Sequence, residues 1–256
     1  MRTTPLTDKE NRKNRAAVTA KVTALLCSCL LVMFLLCACG GSSGGAGPDS
    51  AGTGDKDDAG SFEGAAAKYA ALFSSKDSTY YMKASVESQS GAQETTEDII
   101  ETAQAPGKQM ISSESSSYIQ FYLSGKQYYY DTLNMTYYEL DVSGGSESAD
   151  AAYAPSEGFE GTEDGTFEGQ PVKIDTYRNE TKYEGVRIVS TTQYYVSDDE
   201  AADLVAIVSE QKNKVTGKII SRVTMRVQEF STELPDGVFD LPKGFTKASD
   251  QFGQPQ

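Results

Sequence analysis

The chain has 256 residues, a formal net charge of −14, four cysteines and no histidine. The absence of histidine excludes Ser-His-Asp and Cys-His nucleophilic sites and imidazole-ligated zinc. An acidic surface repels phosphate backbones, which argues against nucleic acid as a partner.

The charge is uneven along the chain. Residues 1–38 carry six Lys/Arg and two acids, leaving −18 for the remainder. After the basic segment ending at Lys21 comes an uncharged run, Val22 to Ala38. As a helix this run would span roughly 25 Å at ~1.5 Å per residue, somewhat short for a permanent membrane span. A charged n-region, an apolar h-region and small residues at its end are the marks of a secretory signal.

All four cysteines, Cys27, Cys29, Cys37 and Cys39, lie in or at the end of this run. The folded part is therefore expected to hold no disulfide and no thiolate metal site. Leu36-Cys37-Ala38-Cys39 resembles the bacterial lipobox. The resemblance implies that Leu36 and Ala38 are recognised by the signal peptidase and that Cys39 becomes the lipidated first residue. Cys37 would place bulky Leu36 at the cleavage position. Cys29 has too short an apolar run before it and a long one after it. The alternative is an uncleaved transmembrane anchor, which also puts the domain outside the cytoplasm. The expected location is thus the extracytoplasmic face of the cell membrane, reached through an N-terminal lipid anchor.

Residues 39–60 are rich in Gly, Ser, Ala and Asp, with almost nothing to bury, and read as a flexible tether. Folded structure is expected over 61–248. Phe62, Ala65, Ala66, Tyr69, Leu72 and Phe73 fall at helical spacing and predict a helix of about three turns, with Ser61 a candidate N-cap. From Ser78 the period changes to two. Alternation in "STYYMKASVES", "SYIQFYLSGKQYYYD", "GVRIVSTTQYYV" and "KIISRVTMRVQEF" predicts half-buried antiparallel strands; "NMTYYELDV" is a further strand candidate, and "DLVAIVSEQKNKVTG" fits another hairpin arm. Short turns between them argue a meander rather than βαβ units. Residues 143–170 contain acids and no Lys or Arg and are expected to be a solvated loop, or alternatively a mobile flap. "SDDEA" at 197–201 is expected to be a hairpin turn, and 249–256 a disordered tail.

The stretch "STELPDGVFDLPKGFTK", with Pro235, Phe239, Leu241 and Pro242, resembles the close of bacterial lipoproteins of the LolA/LolB and LppX/LprG superfamily. "TFEGQPVKIDTYRNE" and "TTQYYVSDDEAADLVAIV" resemble that superfamily's middle. The Gly/Ser-rich tether suits, by composition, a Gram-positive surface protein. The resemblance implies a mainly β (α+β) fold: an open, curved antiparallel sheet, or half-barrel, packing on an N-terminal helix. It further implies an apolar concavity, in which relatives carry acyl chains or lipoproteins, and a tail pinned by buried Phe239 and Leu241.

Two functions compete. One is a non-enzymatic protein that binds an apolar or amphipathic, lipid-like ligand on a face bearing Ile188, Tyr194, Ile219, Val223, Met225 and Val227. The competing reading, which is the simpler one for each residue, is that they fill an ordinary core against the helix. The other is a cell-envelope interaction or sensor module with a filled core, using tyrosine-rich strands to contact a protein. An enzyme is disfavoured because no spacing specifies a carboxylate pair, and no catalytic residue, metal or cofactor is assigned.

Overall fold

The computed structural model describes residues 62–91, 93, 95–142, 153–155, 158–183 and 185–248. The signal segment, Leu36, Ala38, Cys39, the tether and the tail at 249–256 lie outside the described residues. Among the described residues no helix is long and apolar enough to cross a membrane.

Among the described residues the protein is a half-barrel built from one helix and twelve strands. Helix α1 spans Ala67–Ser74. Six strands follow: β1 (Tyr80–Ser90), β2 (Thr96–Ala105), β3 (Lys108–Ser113), β4 (Tyr118–Leu123), β5 (Lys126–Asp131) and β6 (Thr136–Asp141). The second set is β7 (Phe159–Phe167), β8 (Gln170–Tyr183), β9 (Val186–Ser197), β10 (Leu204–Asn213) and β11 (Ile219–Ser231). The two-residue β12 (Thr246–Lys247) closes the described chain.

All twelve strands form one sheet in the order β12-β6-β5-β4-β3-β2-β1-β11-β10-β9-β8-β7. Two antiparallel meanders, β1–β6 and β7–β11, are thus joined where β1 pairs with β11, Tyr81 opposite Ser231 and Ser90 opposite Ser221. The connections are tight. Ser124-Gly125 and Glu168-Gly169 take positive φ at both positions (51° and 81°; 49° and 85°), the backbone that matches the twist of two-residue hairpins.

Each meander buries side chains on both faces. On the face toward α1, β1 contributes Tyr80, Met82, Ala84 and Val86. On the opposite face, Tyr81, Ala103, Met110, Phe121 and Tyr130 form a second core. The segment after β11 lies over this second core through Leu234, Val238, Phe239, Leu241 and Phe245. Phe245 meets Tyr130 edge-on at 5.0 Å. The tail is pinned as expected, although Phe239 and Leu241 are half-buried rather than buried.

Four elements differ from expectation. The helix has eight residues and starts at Ala67, because the chain enters it through a turn at Gly64, where φ is +98°. Strands β2 and β3 carry adjacent apolar residues, Ile99-Ile100 and Met110-Ile111, which break simple alternation because both faces of the sheet are partly covered. Within the segment expected to be an acidic loop, Phe159–Phe167 is a strand, and Gln170 already belongs to the next one. Its Glu160, Glu163, Asp164 and two glycines suit the position it takes at the end of the strand order, since charge and glycine blunt a sheet edge.

Candidate functional site

The face that holds α1 is the candidate site, and it divides into two regions of different chemistry. The first lies under the helix and is filled with rings. Phe73 packs on Tyr80 at 5.2 Å, Tyr153 at 5.5 Å, Phe230 at 6.0 Å and Tyr194 at 6.2 Å. Tyr69 packs on Phe230 at 5.1 Å. Edge-on geometry dominates, as the ring quadrupole favours. Tyr153 comes from the segment between the two meanders. Its hydroxyl shares a hydrogen bond of 2.8 Å with Thr102 on β2, and its carbonyl accepts from the Tyr194 hydroxyl on β9. One residue, through its hydroxyl and its backbone carbonyl, thereby fastens the two meanders beneath α1.

Asp175, on β8, fixes where the helix begins. It is fully buried and accepts hydrogen bonds from the Ala66 amide (2.6 Å), the Ala65 amide (3.1 Å) and the Thr162 hydroxyl (2.6 Å). The amides at a helix start have no partner within the helix, and a carboxylate there also faces the positive end of the helix dipole. Ala66, at the N-cap position, supplies no side-chain cap of its own. Gly64 is needed for the approach, since a Cβ there would lie 2.2 Å from Asp175 Oδ2. Nearby, the Tyr177 hydroxyl donates to the Glu63 carbonyl at 3.0 Å.

The phenols of Tyr80, Tyr153, Tyr177 and Tyr194 are held neutral. Burial, reinforced by Asp175 and Glu63, pushes Tyr177 up to about 12. Burial raises Tyr80, Tyr153 and Tyr194 as well, with neighbouring phenols adding to it for Tyr80 and Tyr194. They act as hydrogen-bond donors and packing surface and are poorly suited to ionise.

The structure separates the six residues proposed as ligand lining. Tyr194, Val223 and Met225 are buried; Met225 pairs with Ile207, which pairs in turn with Tyr194. Tyr194 belongs to the aromatic core and offers no open surface. Val227 and Ile188 are half-buried on the same face. Ile219 corrects the expected pattern. A register shift at Gln211/Lys212 sets it opposite Lys212, which pairs with Val189, so it occupies the face away from α1. An added residue in one strand inverts every side chain beyond it.

The second region is the same face of β3–β6, beyond the strands that α1 and its flanks touch. Those contacts run to β1, β2, β8, β9, β10 and β11. On β3–β6 the cross-strand rows read Gln109-Tyr122-Gln127 and Ile111-Gln120-Tyr129-Tyr138. Gln109 is buried, and the tyrosines and the other glutamines are half-buried. Burial raises the Tyr129 phenol. This lining of rings, amides and the aliphatic Ile111 and Leu140 offers stacking surface and both donors and acceptors, whereas the expected concavity was apolar. Period-two alternation revealed its strands, but the pairing that assembles its rows requires β3, which the sequence pattern missed. Among the described residues no group of three or more His, Cys, Asp or Glu is placed to hold a metal.

Fold and site together define an open antiparallel half-barrel with a ring-filled core under its helix and an amide- and tyrosine-lined flank. No protein-family model and no curated protein matches the chain. Among solved structures it is similar to an uncharacterized conserved protein from Thermus thermophilus, at 12% identity, over 72% of this chain and 98% of that one, with a TM-score of 0.41. It is also similar to a LolA superfamily protein from Nitrosomonas europaea, at 6% identity, over 68% and 95%, with a TM-score of 0.33. A DUF1329 family protein from Desulfovibrio piger is similar at 12% identity, over 68% and 95%, with a TM-score of 0.31. At such scores these likenesses carry no argument about function, and the fold rests on the strand order and registers above.

Proposed function

We propose that this chain is a membrane-anchored, extracytoplasmic, non-enzymatic binding protein that takes an amphipathic ligand on the tyrosine- and glutamine-lined face of β3–β6. The observation that supports it is the row Ile111-Gln120-Tyr129-Tyr138, half-buried and beyond the strands that α1 contacts. Rings supply apolar area at low entropic cost, and amides fix the polar end of a ligand. The test is native mass spectrometry of the protein after exposure to a bacterial lipid extract, repeated with Tyr129→Ala and Tyr122→Ala. A bound species that both substitutions weaken supports the reading; no bound species, or binding indifferent to them, refutes it.

A second reading has an observation of its own. The packed rings around Phe73 occupy the space that an acyl-chain carrier would keep open, which favours an envelope interaction or sensor module. Under this reading the same tyrosines contact a protein. Crosslinking at Tyr129 would then capture one envelope protein reproducibly, and lipid extract would leave the mass unchanged.

A further inference from the structure

The hairpins at the two ends of the sheet differ in chemistry. The turns β1–β2, β3–β4, β5–β6, β8–β9 and β10–β11 lie at one end by strand direction, and those of β2–β3, β4–β5, β7–β8 and β9–β10 at the other. Among the described residues six large apolar side chains are exposed, and five of them (Leu133, Met135, Tyr183, Val186 and Val215) sit in or beside turns of the first end. The sixth, Leu140, lies within a strand. Val215 is 82% exposed and Tyr183 66%.

Two of these tips lie side by side. The Lys214 amide donates to the Arg187 carbonyl at 2.8 Å, and Lys214 Nζ reaches Glu180 on β8. Tyr183, Val186 and Val215 therefore share one corner. Residues 182–187 and 212–218 contain five Lys/Arg against the single acid Glu184; Lys212 and Lys214 are paired with Glu210 and Glu180, so the excess positive charge rests on Lys182, Arg187 and Lys218. This is a basic corner on a chain of net charge −14.

Exposed tyrosine and valine ringed by long cationic side chains match the headgroup layer of a bilayer. There an amphipathic ring sits at the boundary and Lys and Arg meet anionic phosphates. We infer that the β8–β9 and β10–β11 tips dock on an anionic phospholipid surface, orienting the domain with this end toward the membrane. The inference goes beyond the binding reading, since it concerns how the domain meets the bilayer, whatever ligand it holds.

The chain has no tryptophan, so Val215→Trp places a single reporter at the tip, and Glu200→Trp places a control in the exposed turn at the other end. Full-length protein is reconstituted into phosphatidylcholine vesicles, with and without phosphatidylglycerol, carrying brominated acyl chains. Anchorage is scored separately by flotation. The expected result is blue-shifted, bromine-quenched emission for Val215→Trp on anionic vesicles and water-like emission for Glu200→Trp. Adding Lys182→Gln and Lys218→Gln is expected to lower the docking equilibrium by roughly 30-fold, at about a fivefold loss per cation near an anionic surface. Protein that floats but leaves the tip reporter unquenched refutes docking and leaves the anchor intact. Quenching that is equal at both ends, or a blue shift without lipid that signals self-association, also refutes docking. Protein that floats with neither vesicle refutes both docking and anchorage.

Discussion

Replacing Asp175 with alanine tests whether a residue on β8 sets the start of α1. The carboxylate serves three donors at a fully buried position: two amides and one hydroxyl. Each buried donor left without an acceptor costs about 1–3 kcal/mol. Thr162 can turn its hydroxyl elsewhere, but the two amides are fixed by the backbone. The expected loss for Asp175→Ala is therefore about 3–5 kcal/mol, and a smaller one, roughly 1–2 kcal/mol, for Asp175→Asn, which keeps one carbonyl acceptor. Gly64→Ala sharpens the test. Its Cβ would press on Asp175 Oδ2 at 2.2 Å, so in combination with Asp175→Ala it should cost only the strain of a positive φ, about 1 kcal/mol. Urea unfolding followed by near-ultraviolet circular dichroism gives these values from midpoints at constant m. The cycle should be strongly non-additive. The reasoning fails if Asp175→Ala shifts stability by less than about 0.5 kcal/mol, or if Gly64→Ala costs the same with and without it.

The remaining predictions concern titration and processing. Tyr177, held at about 12, contributes stability that is complete below pH 10 and is lost as pH rises toward 12, because the unfolded phenol ionises first. Absorbance at 295 nm should therefore show a slow, unfolding-limited group of tyrosines, and Phe73→Ala should make part of that group titrate rapidly. Glu139 is held below the ordinary carboxylate value of 4.5 by hydrogen bonds from Lys126 and Lys247. Its contribution is present above that value and is lost as pH falls through the depressed one. The protection factors of the Thr246 and Ala248 amides, which bond to Met135 and Tyr137, should fall in acid, and Glu139→Gln should abolish that dependence. For the leader, Cys39→Ser should block lipid labelling and processing while Cys37→Ser leaves both intact; equal labelling of the two variants would overturn the assignment of Cys39.

Strands were legible wherever one face is buried and the other wet. The alternation around Tyr80 and Val223 gave β1 and β11 nearly to their ends, whereas β10 was read from the apolar run Leu204–Val208, in which Ala206, Ile207 and Val208 are all buried. Alternation was silent where both faces are covered, as at Ile99-Ile100, and where an edge carries acids and glycine, as in β7. The hairpin signal there was nevertheless present: Glu168-Gly169 is a two-residue turn between Phe167 and Gln170, and the acidic composition masked it. Bulges were invisible, and one of them moved Ile219 to the other face. Asp175 was illegible for another reason. A buried carboxylate looks like any strand aspartate until the helix it caps, more than a hundred residues earlier, is brought against it. Tyr153 was hidden likewise, a core residue embedded in a stretch whose neighbours are Ala, Ser, Asp and Glu.

The seam between β1 and β11 also has a kinetic meaning. Tyr81 finds Ser231 only after every intervening strand exists, so a chain emerging from its N-terminus can complete the first meander while β1 still presents an unpaired edge. That edge is the longest-lived template for mispairing during synthesis. Pairing so distant in sequence is slow to form because loop closure must be offset before the contact rewards it. Substitutions on β11 that weaken the seam, such as Met225→Ala, should therefore raise aggregation of the newly made chain more than their effect on the finished fold would suggest.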